Sequence, residues 1–394
     1  MTARTTFPAR SSDAPDLAAL KTHAAAACQR FFSARPHEDA AAGAGDTVRA
    51  ALTAFAAEGL LDLAFLNPAA SEVHARDLRQ AAAVIEALAS QSGGLASIYM
   101  VNAIVSGAAL ALAATPAQKA DLLPRLRRGD LRLAFALTEP EAGSDAASLA
   151  TNAAPVDGGG FRLTGEKMYT TGAASADVIL VAARVAGADK RAVSVFLVPA
   201  GARGLRVEPL DMLAGDLHAS CRLRLESVPL GSDAILGGPE GLGKAWATLR
   251  LTGAYERLVV AALALGLAAA IVERSVAFAR QRHQFGQAIA NFQVIQHALV
   301  EMKTIETGMR LFVEHALATL ESGGDPTQAV CMAKYVCAEQ LQQVAALGMR
   351  VLGGRAYFAF EDMSRYYREA PFSLYAGGTI EIQKLLIART MGLA

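Results

Sequence analysis

Apolar and polar positions follow three rhythms along the chain, and the changes between them mark its elements. From Asp16 to about Leu126 the period is helical. Leu17, Leu20 and Ala24 share one face, and Leu52, Phe55, Ala56 and Leu60 share another before Asn67-Pro68 ends that segment. Thr115-Pro116 reads as an N-cap followed by proline at the first helical position. At Leu131 the pattern turns to short apolar runs between Gly and Asp turns: Leu131–Leu137, Phe161–Tyr169, Val178–Arg184, Val193–Pro199 and Leu205–Pro209. These predict short antiparallel strands, with turns at 156–160 and 186–190, ending near Ala234-Ile235. From Gly241 the helical period returns. Lys244 to Arg280 carries no proline, and further helices are predicted at Phe292–Glu321, at Thr327–Leu352 and after Gly378. The order is α, then β, then α, with expected domains at 1–130, 131–236 and 237–394.

Composition narrows the class. A chain of 394 residues is too long for one compact unit, and with 53% hydrophobic and 19% charged residues it is globular. Lys+Arg and Asp+Glu are equal at 37 each, so no basic excess points to nucleic acid. Cys28, Cys221, Cys331 and Cys337 form no CxxC pair, which argues against a metal or redox motif and for a reducing compartment. Residues 1–15 are expected to fray, and no secretory signal is seen. The most apolar stretch, Leu258 to Val272, falls short of the roughly 20 residues that cross a bilayer. It is expected to be a core helix of a cytoplasmic protein.

Chemistry concentrates in six ordered clusters. They are Ala136–Asp145 (ALTEPEAGSD), Gly165–Thr171 (GEKMYTT), Tyr255-Glu256-Arg257, Arg282–Gly286 (RHQFG), Phe292-Gln293 and Gly378–Gln383 (GTIEIQ). Each alone has a plainer reading: a strand ending in a polar turn, a β-strand, a cation at a helix C-terminus, an N-cap threonine. As an ordered set they resemble the acyl-CoA dehydrogenase family, and the resemblance covers nearly the whole chain. It implies an α+β multidomain fold: an N-terminal helical domain, a middle antiparallel β domain and a C-terminal four-helix bundle. It also implies FAD as cofactor, and oxidation of an acyl-CoA thioester at Cα–Cβ.

The resemblance carries roles onto particular residues. Leu137 and Thr138 would lie along the flavin ring, and Ser144 near the pyrophosphate or substrate. Tyr169, Thr170 and Thr171 would form the second flavin segment. Arg282 and Gln293 would reach the FAD of a neighbouring subunit, with Phe285 packed on it. Gly353-Gly354 would approach the adenine side, where Arg350 stands in place of the family's usual Gln. Thr379 and Glu381 would meet the adenosine half. Tyr255, Arg257, Gly377 and Gly378 join Ser144 as expected substrate contacts, and the N–H near Gly377 is expected to hold the thioester carbonyl. No metal is expected.

The base is the main departure. Many members carry it just before the Gly-Thr of the last cluster, where this chain has Gly377, preceded by Ala376. A branch that includes isovaleryl-CoA and long-chain acyl-CoA dehydrogenases carries it on the long helix before an Arg, matching Glu256-Arg257. The residues argue the same way. At helical spacing Glu256 neighbours Thr252, Gly253, Val259 and Val260, and a carboxylate on so weakly polar a face needs a job or a partner. Glu256 is therefore the expected base, on a short or branched acyl-CoA. A homotetramer passing electrons to an electron-transferring flavoprotein is implied. A carrier-protein thioester substrate, a flavin oxidase or monooxygenase, and a flavoprotein without the reaction remain as alternatives. The segment Leu66–Leu78 lacks the family's glycine-rich loop, so an unusual substrate entrance is expected.

Overall fold

The structure, a computed structural model, describes residues 16–35, 44–187, 189, 192–214 and 217–393. The segment 1–15, expected to fray, lies outside them. The described residues pack as two compact units: one within 29–77 and 97–256, the other within 16–28, 78–96 and 257–393.

The first unit is built on a seven-stranded sheet in the order β1-β4-β2-β3-β7-β6, with β5 also paired to β4. The strands are β1 (Leu133–Ala136), β2 (Asn152–Val156), β3 (Gly160–Thr171), β4 (Val178–Val185), β5 (Val193–Pro199), β6 (Leu205–Pro209) and β7 (Ser220–Leu230). Four of its six pairings are antiparallel, as the sequence predicts, but β1 and β2 both run parallel to β4. Ile179 to Ala183 of β4 are all buried, so neither face of this strand meets water, as is usual where strands pair in parallel. Phe161 and Phe196 meet edge-on at 5.4 Å in the core beneath.

The helical segment Gly93–Ala113 contains a π turn over Met100–Ser106. The turn puts buried Asn102 where it is doubly used. Its Nδ2 donates to the Ile98 carbonyl at 2.9 Å, and its Oδ1 accepts from the Leu133 N–H at 2.7 Å. The start of β1 is thereby fixed by one side chain. Asn102→Ala is expected to cost about 1–3 kcal/mol, the penalty of orphaning a buried N–H, read as a lowered denaturant midpoint. At the other end of the segment Thr115 caps the helix Pro116–Arg127, as expected, and Gln118 completes a capping box with it.

The long helix spans Trp246–Gln281, 36 residues and roughly 54 Å at 1.5 Å per residue. The expected apolar stretch Leu258–Val272 lies within it, between Arg257 and Glu273. This helix and Gly93–Ala113 are both long and apolar enough to cross a membrane by length and composition, yet most of each is buried inside the protein, as in core helices.

In the second unit the long helix's residues 257–281 are joined by helices Gln293–Glu321, Thr327–Leu352 and Ile380–Thr390. Against them lies the helix Ala75–Gln91 from residue 78 onward. Close approach fixes one residue: a Cβ at Gly266 would stand 2.2 Å from the Glu86 carbonyl oxygen and 2.9 Å from the Ala89 Cβ. Gly266→Ala must push two backbones apart and is expected to lose about 1–3 kcal/mol, measurable by thermal melting. Arg310 adds charge to the packing, bonded to Glu86 at 2.8 Å and Glu306 at 3.0 Å.

Candidate active site

In the first unit, the strand β1 runs into Leu137-Thr138-Glu139 and a tight turn closed by mutual backbone bonds between Glu139 and Ala142. The turn is anchored by a buried ion pair. Lys167 Nζ, with its side chain fully buried, lies 2.8 Å from Glu139 Oε1 and donates to the Leu137 carbonyl at 2.9 Å. The Glu139 carboxylate also accepts the N–H groups of Ala150 and Thr151 at 2.6 and 2.9 Å. Burial alone would push this carboxyl up, but Lys167 and the N–H donors hold it below the ordinary range. The Thr138 carbonyl accepts from the Met168 N–H at 2.9 Å, so the two expected flavin segments are bonded to each other. Ser144 is exposed, and beside it a Cβ on Gly143 would meet open space.

The β3–β7 register slips between Lys167 and Thr170. This bulge sets Tyr169 at φ 59° and leaves it 64% exposed, although its neighbours are in a sheet. Thr170 is buried and its hydroxyl has no hydrogen-bond partner in the protein. Thr171 Oγ1 shares a hydrogen bond with Ser220 Oγ at 3.1 Å. A small cavity beside Thr171 is lined by Ser97, Val101 and Asn102 of the π-turn region together with Arg132 and His218. Tyr255 is buried, which pushes its hydroxyl up to about 12. Glu256 is half-buried on the long helix.

The second unit holds the remaining expected residues in three places. The long helix ends at Gln281, and the cluster Arg282–Gly286 that follows forms a two-stranded hairpin rather than a helix end: His283 pairs with Ala288 and Gln284 with Gln287. Its two turn residues, Phe285 and Gly286, have φ of 51° and 80°, the geometry of a type I′ turn. A phenylalanine in left-handed backbone and 95% exposed is costly twice over, which marks Phe285 as a residue awaiting a cover. Arg282 and Gln293 are exposed beside it in sequence. The second place is Gly353-Gly354, where added Cβ atoms would meet open space. The loop after it is fixed by Glu361, which accepts from Arg274 Nε and Nη2 and from Arg355 Nε, each at 2.7 Å. Arg350 stands exposed three residues before Gly353.

The third place is the C-terminal turn. Thr379 caps the helix Ile380–Thr390 by accepting the Ile382 N–H at 3.3 Å, so its hydroxyl serves the helix as the plainer reading held. Glu381 is exposed in the first turn of that helix. Gly377 has φ of 68°, and a Cβ there would touch the backbone of Arg257 at 3.5 Å. Arg257 is half-buried and its Nε has no hydrogen-bond partner in the protein.

Residues 15–130, 134–228 and 243–392 match the models of the acyl-CoA dehydrogenase N-terminal, middle and C-terminal domains in turn. The chain belongs to the acyl-CoA dehydrogenase family. Its fold is that family's helical N-terminal, β middle and helical C-terminal arrangement, and it is an FAD-dependent oxidoreductase. A 3-(aryl)acrylate reductase of Clostridium sporogenes is 34% identical over 77% of this chain and 80% of that protein. A mitochondrial isovaleryl-CoA dehydrogenase of Oryza sativa subsp. japonica is 31% identical over 78% of this chain and 75% of its own length. The crystal structure of the prolyl acyl carrier protein oxidase AnaB superposes with a TM-score of 0.83 at 25% identity, covering 98% of this chain and all of that one.

The residues fit FAD. A flat, polar-edged cofactor needs unspent donors and exposed aromatic faces; the first unit offers the Thr170 hydroxyl and Tyr169, and the second offers Phe285. For an acyl-CoA dehydrogenase, three residues without an assigned role at the sequence level turn out to matter locally. Glu139 and Lys167 hold the turn 137–142, and Ser220 engages Thr171. The signal for the pair was a lysine at an inward β position in a chain that also has a Glu-Pro turn.

Proposed function

We infer that this enzyme removes the α and β hydrogens of a short or branched acyl-CoA to give the 2-enoyl-CoA. The observation that carries this reading is the seat of Gly377 against Arg257. The turn that bears the base in many relatives abuts the long helix one residue after Glu256. A carboxylate missing from the turn therefore has its replacement on that helix. Glu256 takes the α proton, and the N–H of Gly377 donates to the thioester carbonyl as charge builds there. FAD, when bound, accepts the β hydride. Tyr255, Arg257, Gly378 and Ser144 hold the thioester and its CoA.

Electrons then pass to an electron-transferring flavoprotein, and the enzyme works in the cytoplasm as a homotetramer. Four buried free thiols suit a reducing compartment. Exposed Val294, Val300 and Leu311 on the helix Gln293–Glu321 suit association with further copies. If Arg282 clamps the diphosphate of a neighbouring copy, Arg282→Ala should weaken FAD retention about 10–100-fold, the loss of one charge-assisted contact. Flavin release on dilution, followed against protein mass, checks this.

A panel of acyl-CoAs mixed anaerobically with the enzyme tests the main reading, since a substrate bleaches the flavin without any acceptor. The similarity to AnaB favours a second reading, in which the thioester rides on a carrier protein. Bleaching by carrier-bound thioesters alone would decide for that reading, and bleaching by neither would end both. Peroxide release on turnover in air would mark an oxidase.

A further inference from the structure

Lys334 sits on the helix Thr327–Leu352 and is fully buried. Its ammonium donates to the carbonyl oxygens of Gly378 at 2.6 Å and Leu374 at 3.1 Å. Gln383, also fully buried, donates through Nε2 to the carbonyls of Gly377, Gly378 and Thr379 at 3.2, 3.0 and 3.3 Å. Two buried side chains of the second unit thus hold the carbonyls of four residues in the single turn 374–379. The turn's N–H groups are spent unevenly. Those of Ala376 and Gly378 bond to Phe372 and Tyr375 at 3.1 Å each, while the N–H of Gly377 has no acceptor among the described residues. The peptide carrying that free donor lies between peptides whose oxygens are tied.

An ammonium is strongly hydrated and costly to bury, and a lysine that only filled space here would be outdone by methionine. Two donors of this buried ammonium are spent on the carbonyls of one turn, which fixes the posture of that turn. A preorganised donor is worth most where it need not reorganise as charge develops.

We propose that Lys334 and Gln383 are positioning residues, locking the turn 374–379 so that the free N–H of Gly377 is held ready for the carbonyl oxygen of the bound thioester. The inference rests on the thioester reading above. In the step it serves, the α C–H bond breaks and the proton goes to the Glu256 carboxylate. The electron pair moves into the C–C bond, and the negative charge collects on the thioester oxygen. Nothing is oxidised or reduced in that step.

The test uses the holoenzyme and a 3-thia-acyl-CoA labelled with ¹³C at C1, which has an α CH₂ but no β C–H. Isotope-edited difference infrared spectra follow its C=O stretch. Wild type and Glu256→Gln should both lower the band on binding. Lys334→Met should lose most of that shift while binding the analogue within about threefold of wild type. With an oxidisable acyl-CoA its kcat should fall about 10–100-fold at little-changed KM, less than the ~10²–10³ expected for outright loss of an oxyanion donor. Gln383→Met should move the same readouts in the same direction, and it decides the matter if Lys334→Met does not fold. Lys334→Gln, which keeps an N–H donor, should recover part of the shift. A lowered melting temperature with wild-type band position and kcat in Lys334→Met or Gln383→Met would reduce the pair to fold stability and overturn the proposal, leaving the thioester reading intact. No band shift in wild type would overturn both.

Discussion

Glu256→Gln should abolish flavin bleaching by every thioester that bleaches the wild type, with a loss of about 10²–10⁴ in rate, the usual worth of a positioned general base. The amide keeps the shape and half-buried setting of the side chain but cannot take a proton. Binding should therefore survive: KM should move little, and the fall should lie in kcat. The structure adds a sharper companion experiment. Gly377 backs onto Arg257 at ordinary contact distance, so a side chain introduced there has room and starts beside the same turn of the long helix. Gly377→Glu in the Glu256→Gln background should recover part of the lost rate. Recovery should be incomplete, because φ of 68° costs a non-glycine residue about 1–2 kcal/mol. Bleaching by Glu256→Gln at wild-type speed would remove the base from this helix altogether.

The helices were legible because their signals are local. Thr327–Leu352 has the bounds its periodicity predicts, and the Thr115 and Thr379 side chains cap by accepting backbone N–H groups only three residues away. β7 carries an equally local signal, the alternation of Cys221, Leu223 and Leu225 with Arg222, Arg224 and Glu226. β2 gave less: its Asn-Ala-Ala-Pro-Val sequence has low strand propensity, and it is held by pairing with β3 and β4. The parallel pairing of β1 and β2 with β4 joins distant residues and has no period to betray it.

The site divides along the same line. The clusters were read from residue identity, but their posture was not. The left-handed turn at Phe285 depends on a hairpin register, and the outward swing of Tyr169 on a bulge against β7. Lys334 and Lys167 illustrate the limit most plainly. Lysine is almost never fully buried without a partner, so both read as surface residues until the fold supplies their carbonyls and carboxylate.

Lys167→Met should be the most destabilising single change near the turn 137–142. It leaves the Glu139 carboxylate, 6% exposed, without its cation, and removing one member of a buried pair typically costs about 3–5 kcal/mol. The methionine fills the volume, so the loss reports charge and hydrogen bonding rather than a cavity. It also frees the Leu137 carbonyl that Lys167 holds, so FAD retention should weaken along with stability. The effect carries a pH signature. The Glu139 carboxyl is depressed below its ordinary 4.5 in the folded protein, so its contribution is fully present above that value and is lost as pH falls through the lower folded value. In Lys167→Met burial acts on the same carboxyl without its cation and pushes it up, so the gap in unfolding free energy between wild type and variant should be widest near neutrality and narrow on acidification, from the pH at which the variant's carboxyl takes its proton down to the depressed wild-type value. Chemical denaturation at a series of pH values reads this directly. A gap of under 1 kcal/mol at neutral pH, or one that widens on acidification, would show that the pair does not anchor the turn.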